Sequence, residues 1–99
     1  MKFEELNDKV IGWALDKNLT EEGNQFQQYA KFQEEAGELA RAMLKKDKPE
    51  QEDSIGDILV TLCILSRQLD LDIVGCFFTA WNEIKNRKGK TVGGTFIKD

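Results

Sequence analysis

KFQEEAGELARAMLKKDKPEQEDSIGD, running from Lys31 to Asp57, is the stretch on which the reading of the whole chain turns. Its first part continues a helical apolar side made of Phe26, Tyr29, Phe32, Ala36, Leu39, Ala40 and Met43. Glu34, Glu35 and Glu38 lie beside that stripe, and Asp53 and Asp57 follow about one helix length later. Asp57 opens an almost unbroken apolar run from Ile55 to Leu65. A carboxylate set into so greasy a segment needs a partner, because an unpaired buried charge costs more than a small protein's whole stability margin allows.

Working outward, the spacing predicts four helices. Phe3, Leu6, Val10, Trp13 and Leu15 define a first helix from about Phe3 to Lys17, interrupted by Asn18 to Gly23. Asn24 or Thr20 is placed to cap a second, reaching about Lys46. Pro49 suits a first helical position and Glu50 and Glu52 complement the positive helix end, so a third helix is expected from about Pro49 to Leu69. Asp72 would cap a fourth through about Lys88, with Val74, Phe77, Phe78, Trp81 and Ile84 facing inward. Gly89, Gly93 and Gly94 then end regular structure, leaving Thr95, Phe96 and Ile97 as a frayed terminus or a short extended tail docked on a neighbour.

Ninety-nine residues make one domain, 1–99, with limited surface to bury. A third helix that is apolar nearly all round must be enclosed by protein, and so few helices cannot enclose it, which predicts a subunit interface along it. Net charge is −4, against nonspecific attraction to nucleic acid, yet Lys85, Arg87, Lys88 and Lys90 gather near the C-terminus. Cys63 and Cys76 sit in apolar stretches without a C-x-x-C spacing and are expected to be reduced and buried. No basic segment followed by an apolar one opens the chain, and no apolar run reaches the ~20 residues that span a bilayer, so a cytoplasmic protein without membrane partners is expected.

Helical geometry brings the carboxylates together. At ~100° per residue, Glu35 and Glu38 lie ~60° apart, while Glu34 with Glu38 and Asp53 with Asp57 are i, i+4 pairs. A short antiparallel turn would set the two acidic edges against each other, and a divalent cation would turn that repulsion into attraction. The competing assignment for Asp57 is a buried ion pair with Lys31 or Arg41. With no histidine and no cysteine pair, zinc, copper, haem and Glu-x-x-His di-iron sites are disfavoured. Oxygen ligands point to Mg²⁺, with Mn²⁺ as substitute, and Mg²⁺ commonly binds substrate phosphates.

These residues resemble a known family. Lys31, Glu34, Glu35, Glu38 and Leu39 in K-x-x-E-E-x-x-E-L, followed by G-D-I-L-V at Gly56 to Val60, are similar to the MazG-like, all-α nucleoside triphosphate pyrophosphohydrolases. The similarity continues through Asn82, Glu83, Ile84, Lys85, Asn86, Arg87, Lys88 and Gly89. It implies an all-α, four-helix bundle completed by tight homo-oligomerisation as a dimer or dimer of dimers. It also implies Mg²⁺-dependent hydrolysis of an NTP or dNTP to the monophosphate and pyrophosphate.

The family binds metal through an E-x-x-E and an E-x-x-D pair. Glu35 and Glu38 match the first and Asp57 the end of the second, but Ser54 stands where the remaining glutamate would fall. Asp53, one residue earlier, is expected to supply the missing ligand. Glu34 is the candidate for orienting or deprotonating the attacking water. Lys31, Lys85, Arg87 and Lys88 would neutralise the triphosphate, with Asn82 or Asn86 donating to phosphate or sugar. Trp13, Phe26, Tyr29 and Trp81 are the rings available to a base. Two alternatives share the motifs: a phosphoribosyl-ATP pyrophosphohydrolase-like activity, and a catalytically weakened oligomeric nucleotide-binding or regulatory module. A purely structural helical assembly would tolerate loss of Asp57 by gaining stability.

Overall fold

Each helix ends where its backbone carbonyls find partners, and three of the four ends use one device. Asn18, Lys46 and Asp70 adopt positive φ (57°, 56° and 59°), just past the caps of α1 (Phe3–Asp16), α2 (Gln25–Leu44) and α3 (Lys48–Gln68). The next amide turns back in each case: Leu19 N–H donates to Ala14 O, Asp47 to Ala42 O and Leu71 to Ser66 O. Such left-handed closures satisfy carbonyls that the helix leaves free. A computed structural model describes residues 1–21 and 23–99. The interruption read at Asn18 to Gly23 therefore includes one position, residue 22, outside the described residues.

Helix starts follow side-chain chemistry. The Asp47 carboxylate accepts from Glu50 N–H at 3.1 Å with Pro49 in the first turn of α3, and Asp72 accepts from Val74 and Gly75 N–H at 3.3 Å to open α4 (Ile73–Ile84). Asn24 occupies the cap position of α2 but its side chain caps nothing, and Gln25 Oε1 instead accepts from Gly23 N–H at 2.8 Å.

The fourth helix is shorter than its sequence suggests. It stops at Ile84, and Arg87 N–H closes a turn onto Ile84 O at 2.9 Å. The glycines that were expected only to end regular structure build an antiparallel hairpin, β1 (Gly89–Val92) with β2 (Thr95–Lys98), in the register Val92 opposite Thr95. Gly93 and Gly94 both take positive φ (56° and 80°), which a two-residue hairpin turn requires and glycine supplies without strain. Among the described residues the fold is thus four helices plus a hairpin rather than helix alone.

The α3 helix is central. It packs along α2 as an antiparallel helical hairpin, and α1 and α4 rest on its other side and on each other. Phe3 of α1 meets Phe77 of α4 edge to face at 6.3 Å, and Gln68 at the end of α3 donates to Leu19 O at 2.5 Å. The β-hairpin touches no helix, among the described residues.

The chain leaves many of its apolar side chains uncovered. Its radius of gyration is 15.8 Å, against about 13 Å for a compact domain of 100 residues. Among the described residues, only Ala14, Ala42, Cys63 and Ile64 form its buried hydrophobic core. Leu6 and Trp13 of α1 and Phe77, Phe78, Trp81 and Ile84 of α4 are exposed, contrary to the expectation that those faces point inward. Cys63 is buried, but Cys76 is exposed because it lies on that uncovered helix. The physical reason is supply: α3 packs mainly against α2 and α1 and meets α4 over a smaller area, so the outer faces of α1 and α4 find no neighbour within the chain.

Candidate functional site

The seam between α2 and α3 carries the carboxylates because of which face α2 turns inward. Sequence periodicity favoured an apolar side from Phe26 to Met43, yet Phe26, Tyr29 and Met43 are exposed, and the buried positions of α2 are Glu35 and Ala42. Glu35 is therefore inside the stripe rather than beside it, only 6% exposed. The facing side of α3 is polar too, with Ser54, Thr61 and Gln68 buried and Asp57 half-buried. Thr61 is satisfied within its own helix, donating to Ile58 O at 2.7 Å. Glu35 is not, for its Oε2 is buried without a hydrogen-bond partner.

Lys31, one helical turn before Glu35, lies 3.4 Å from Glu35 Oε1 and 3.5 Å from Glu34. The polar contact with Glu35 and its charge, with a smaller push from Glu34, raise the Lys31 ammonium above its ordinary 10.5. Asp57 pairs with neither Lys31 nor Arg41, so the ion-pair assignment fails among the described residues. Burial, then the charges of Asp53 and Glu35, lift Asp57 above the ordinary carboxyl value of 3.8, and Lys31 offsets only part of this.

The remaining acidic residues line two cavities that share Asp53. One, about 550 Å³ and open, runs along α3 past Asp53, Asp57 and Val60. The other, about 190 Å³, lies between the C-terminal half of α2 and the start of α3 and is lined by Glu38, Arg41, Lys45, Glu50, Asp53 and Ser54. Glu38 and Asp53 thus face one space and Asp53 and Asp57 another. Among the described residues no three carboxylates or thiols stand as a finished metal cage. The donors on offer are all oxygens, one of them a buried orphan, which is the donor chemistry of a hard divalent cation.

Apart from Lys31, the predicted basic residues are elsewhere. Lys85, Asn86, Arg87 and Lys88 follow α4, which touches only α1 and α3, and they precede a hairpin that touches no helix. Arg87 is engaged by Glu83 at 3.2 Å, and Asn82 sits exposed on the last turn of α4. None of them lines a cavity with the carboxylates. Arg41 and Lys45, which do, were not singled out as phosphate ligands from the sequence. Their spacing of three and seven residues beyond Glu38 was the available signal.

Of the four candidate rings, Trp13 adjoins the acidic cavities. It forms a shallow groove with Leu6, Val10 and Val60, and Val60 also lines the Asp57 cavity. Trp81 belongs to a separate groove with Phe3, Phe77 and Phe78. Another cavity, about 510 Å³, lies between α1 and the far end of α3, beside Asn7, Arg67 and Asp70, and holds none of the predicted site residues.

The family model for the MazG nucleotide pyrophosphohydrolase domain matches residues 25–92, which takes in α2, α3, α4 and β1. A relative described as an uncharacterized 18.2 kDa protein in the rep-hol intergenic region of Haemophilus phage HP1 (strain HP1c1) is 37% identical over 72 residues. That alignment covers 73% of this chain but 44% of the phage protein, so the chain spans less than half of that relative's length. No solved structure gives a significant match. Among the described residues, no helix is long and apolar enough to cross a membrane.

Proposed function

This chain belongs to the MazG nucleotide pyrophosphohydrolase domain family, and from that membership we propose that it hydrolyses a nucleoside triphosphate, ribo or deoxyribo, to the monophosphate and pyrophosphate with Mg²⁺. The observation that carries the proposal is Glu35, a buried carboxylate with an unpartnered oxygen, beside an Asp57 that its neighbours destabilise as an anion. Carboxylates held this way are costly unless a cation completes them.

Glu35, Glu38, Asp53 and Asp57 would hold Mg²⁺, with Mn²⁺ as substitute. When bound, it would neutralise phosphate charge and make water a better nucleophile at neutral pH. In the reaction a water oxygen bonds to the α-phosphorus as the bridging oxygen leaves with pyrophosphate. Glu34, adjacent to the ligands and open to solvent, accepts the water's proton. Lys31, tied to Glu34 and Glu35, holds both carboxylates in place.

The basic segment Lys85 to Lys88, with Asn82 and Asn86, reaches the triphosphate only from a second copy of the chain. Such a copy would also cover the apolar faces of α1, α3 and α4, so we take the working form to be a homodimer or homotetramer. An isolated two-stranded hairpin is marginal in water, and an oligomer would give β1 and β2 a surface to rest on.

Ser54 favours a second reading. A hydroxyl where the family pattern has a glutamate leaves one ligand fewer, as in a weakened nucleotide-binding or regulatory module. Pyrophosphate release from a panel of NTPs, dNTPs and phosphoribosyl-ATP, with Mg²⁺, Mn²⁺ or EDTA and an Asp57→Ala control, separates these. Metal-dependent release that the control abolishes supports the hydrolase and ranks its substrates. A folded, metal-binding protein that turns over none of them supports the module.

A further inference from the structure

Arg41 and Lys45 belong neither to the carboxylates of the α2–α3 seam nor to the basic segment after α4. Both project from α2 into the cavity of about 190 Å³ that Glu38, Asp53 and Ser54 also line. Neither forms an ion pair or a side-chain hydrogen bond among the described residues, although three carboxylates line the same space. Ser54 keeps that space open: it is buried, and among the described residues no side-chain hydrogen bond engages it. A glutamate there would fill the cavity and hand both cations a counter-charge.

Shared lining residues order the surrounding surface. The Trp13 groove and the Asp57 cavity meet at Val60, and the Asp57 cavity and the Arg41 cavity meet at Asp53. The path therefore runs from an aromatic, through carboxylates, to two free cations. Asp53 to Val60 alone spans about 10 Å along α3 at about 1.5 Å per residue. A path of this length and polarity suits an extended nucleotide, with base at one end and phosphates at the other, better than a free anion.

Resting on the hydrolase reading, we propose that Arg41 and Lys45 clamp the end of the triphosphate that departs as pyrophosphate, and that the base lies toward Trp13. The guanidinium can grip two phosphate oxygens at once, and the ammonium adds a point charge beside it. The competing role for these cations is to complement the negative C-terminal end of α2, where Arg41 stands in the last turn and Lys45 at the cap. That role predicts a change in stability alone.

Calorimetric titration with Mg²⁺ present distinguishes them, using pyrophosphate, a nucleoside monophosphate and an α,β-methylene triphosphate that is not hydrolysed. Arg41→Ala/Lys45→Ala should weaken pyrophosphate and the triphosphate analogue by about tenfold or more, leaving the monophosphate and Mg²⁺ alone unchanged. Trp13→Ala should give the opposite pattern, losing affinity for both nucleotides and none for pyrophosphate. A charge-matched control, Lys2→Ala/Lys17→Ala, should bind all three like the wild type. Pyrophosphate binding that survives the double substitution, or falls equally in the control, overturns the clamp and leaves the hydrolase reading standing. A wild-type protein that binds Mg²⁺ but neither pyrophosphate nor the analogue overturns both.

Discussion

Glu35 lies buried in the α2–α3 seam with Lys31 at 3.4 Å, and after burial and the charge of Asp53 its own charge helps hold the Asp57 carboxyl above its ordinary value. In the absence of a divalent cation this seam carries more negative charge than it can neutralise.

Asp57→Asn should therefore stabilise the metal-free protein at neutral pH. Because Asp57 is lifted above 3.8, the folded protein holds its proton more tightly than the unfolded chain. Its favourable contribution is complete below the unfolded value and is lost as pH rises through the folded one. Urea unfolding in EDTA should show the wild type losing stability relative to the variant as pH climbs from about 4 to 7. Added Mg²⁺ should raise the wild type alone, by about 2.7 kcal/mol at a hundredfold excess over Kd.

Lys31→Met should lower the unfolding midpoint in EDTA, since it leaves the buried Glu35 carboxylate without its cation. Lys31 is raised above 10.5, so its contribution is complete below that value and disappears only as pH climbs past it. The deficit should be constant from pH 6 to 9. Mg²⁺ should recover more stability in the variant than in the wild type, because it takes over the neutralising task.

Ser54→Glu should strengthen Mg²⁺ binding by about tenfold or more and destabilise the metal-free protein, placing a carboxylate at a buried position beside Glu38 and Asp53. Titration calorimetry and melting in EDTA check the two halves. Asp53→Asn in the wild-type background should reduce Mg²⁺ affinity if Asp53 supplies the ligand that Ser54 does not.

Lys46→Gly should stabilise the fold independently of metal. Lys46 holds φ at 56°, a left-handed conformation that costs a residue with a Cβ about 1–2 kcal/mol. Glycine removes that cost and adds some unfolded-state entropy, for a net gain of about 0.5–1 kcal/mol in chemical denaturation.

The four helices, the approximate ends of α1 to α3 and the acidic residues along α2 and α3 were legible in the chain, whereas α4 stops at Ile84, short of the expected Lys88. Asp47 and Asp72 cap, Pro49 opens and Glu35 recurs with Glu38 through interactions that reach only three or four residues along the sequence. The hairpin was legible too, in Gly93 and Gly94 between Thr91, Val92 and Thr95, Phe96. It was missed because glycine marks the end of structure as readily as a tight turn.

What the sequence by itself determined, then, was local: four helices, one acidic face on each of α2 and α3, and membership of the MazG family. Tertiary structure alone decided that α2 buries Glu35 and leaves Phe26 and Tyr29 in water, that Cys76 is exposed, and that Arg41 and Lys45 rather than Lys85 to Lys88 share a cavity with the carboxylates. Each of these depends on which helix meets which. Periodicity marks the sides a helix has available, but the neighbour that arrives from tens of residues away selects the one that is covered.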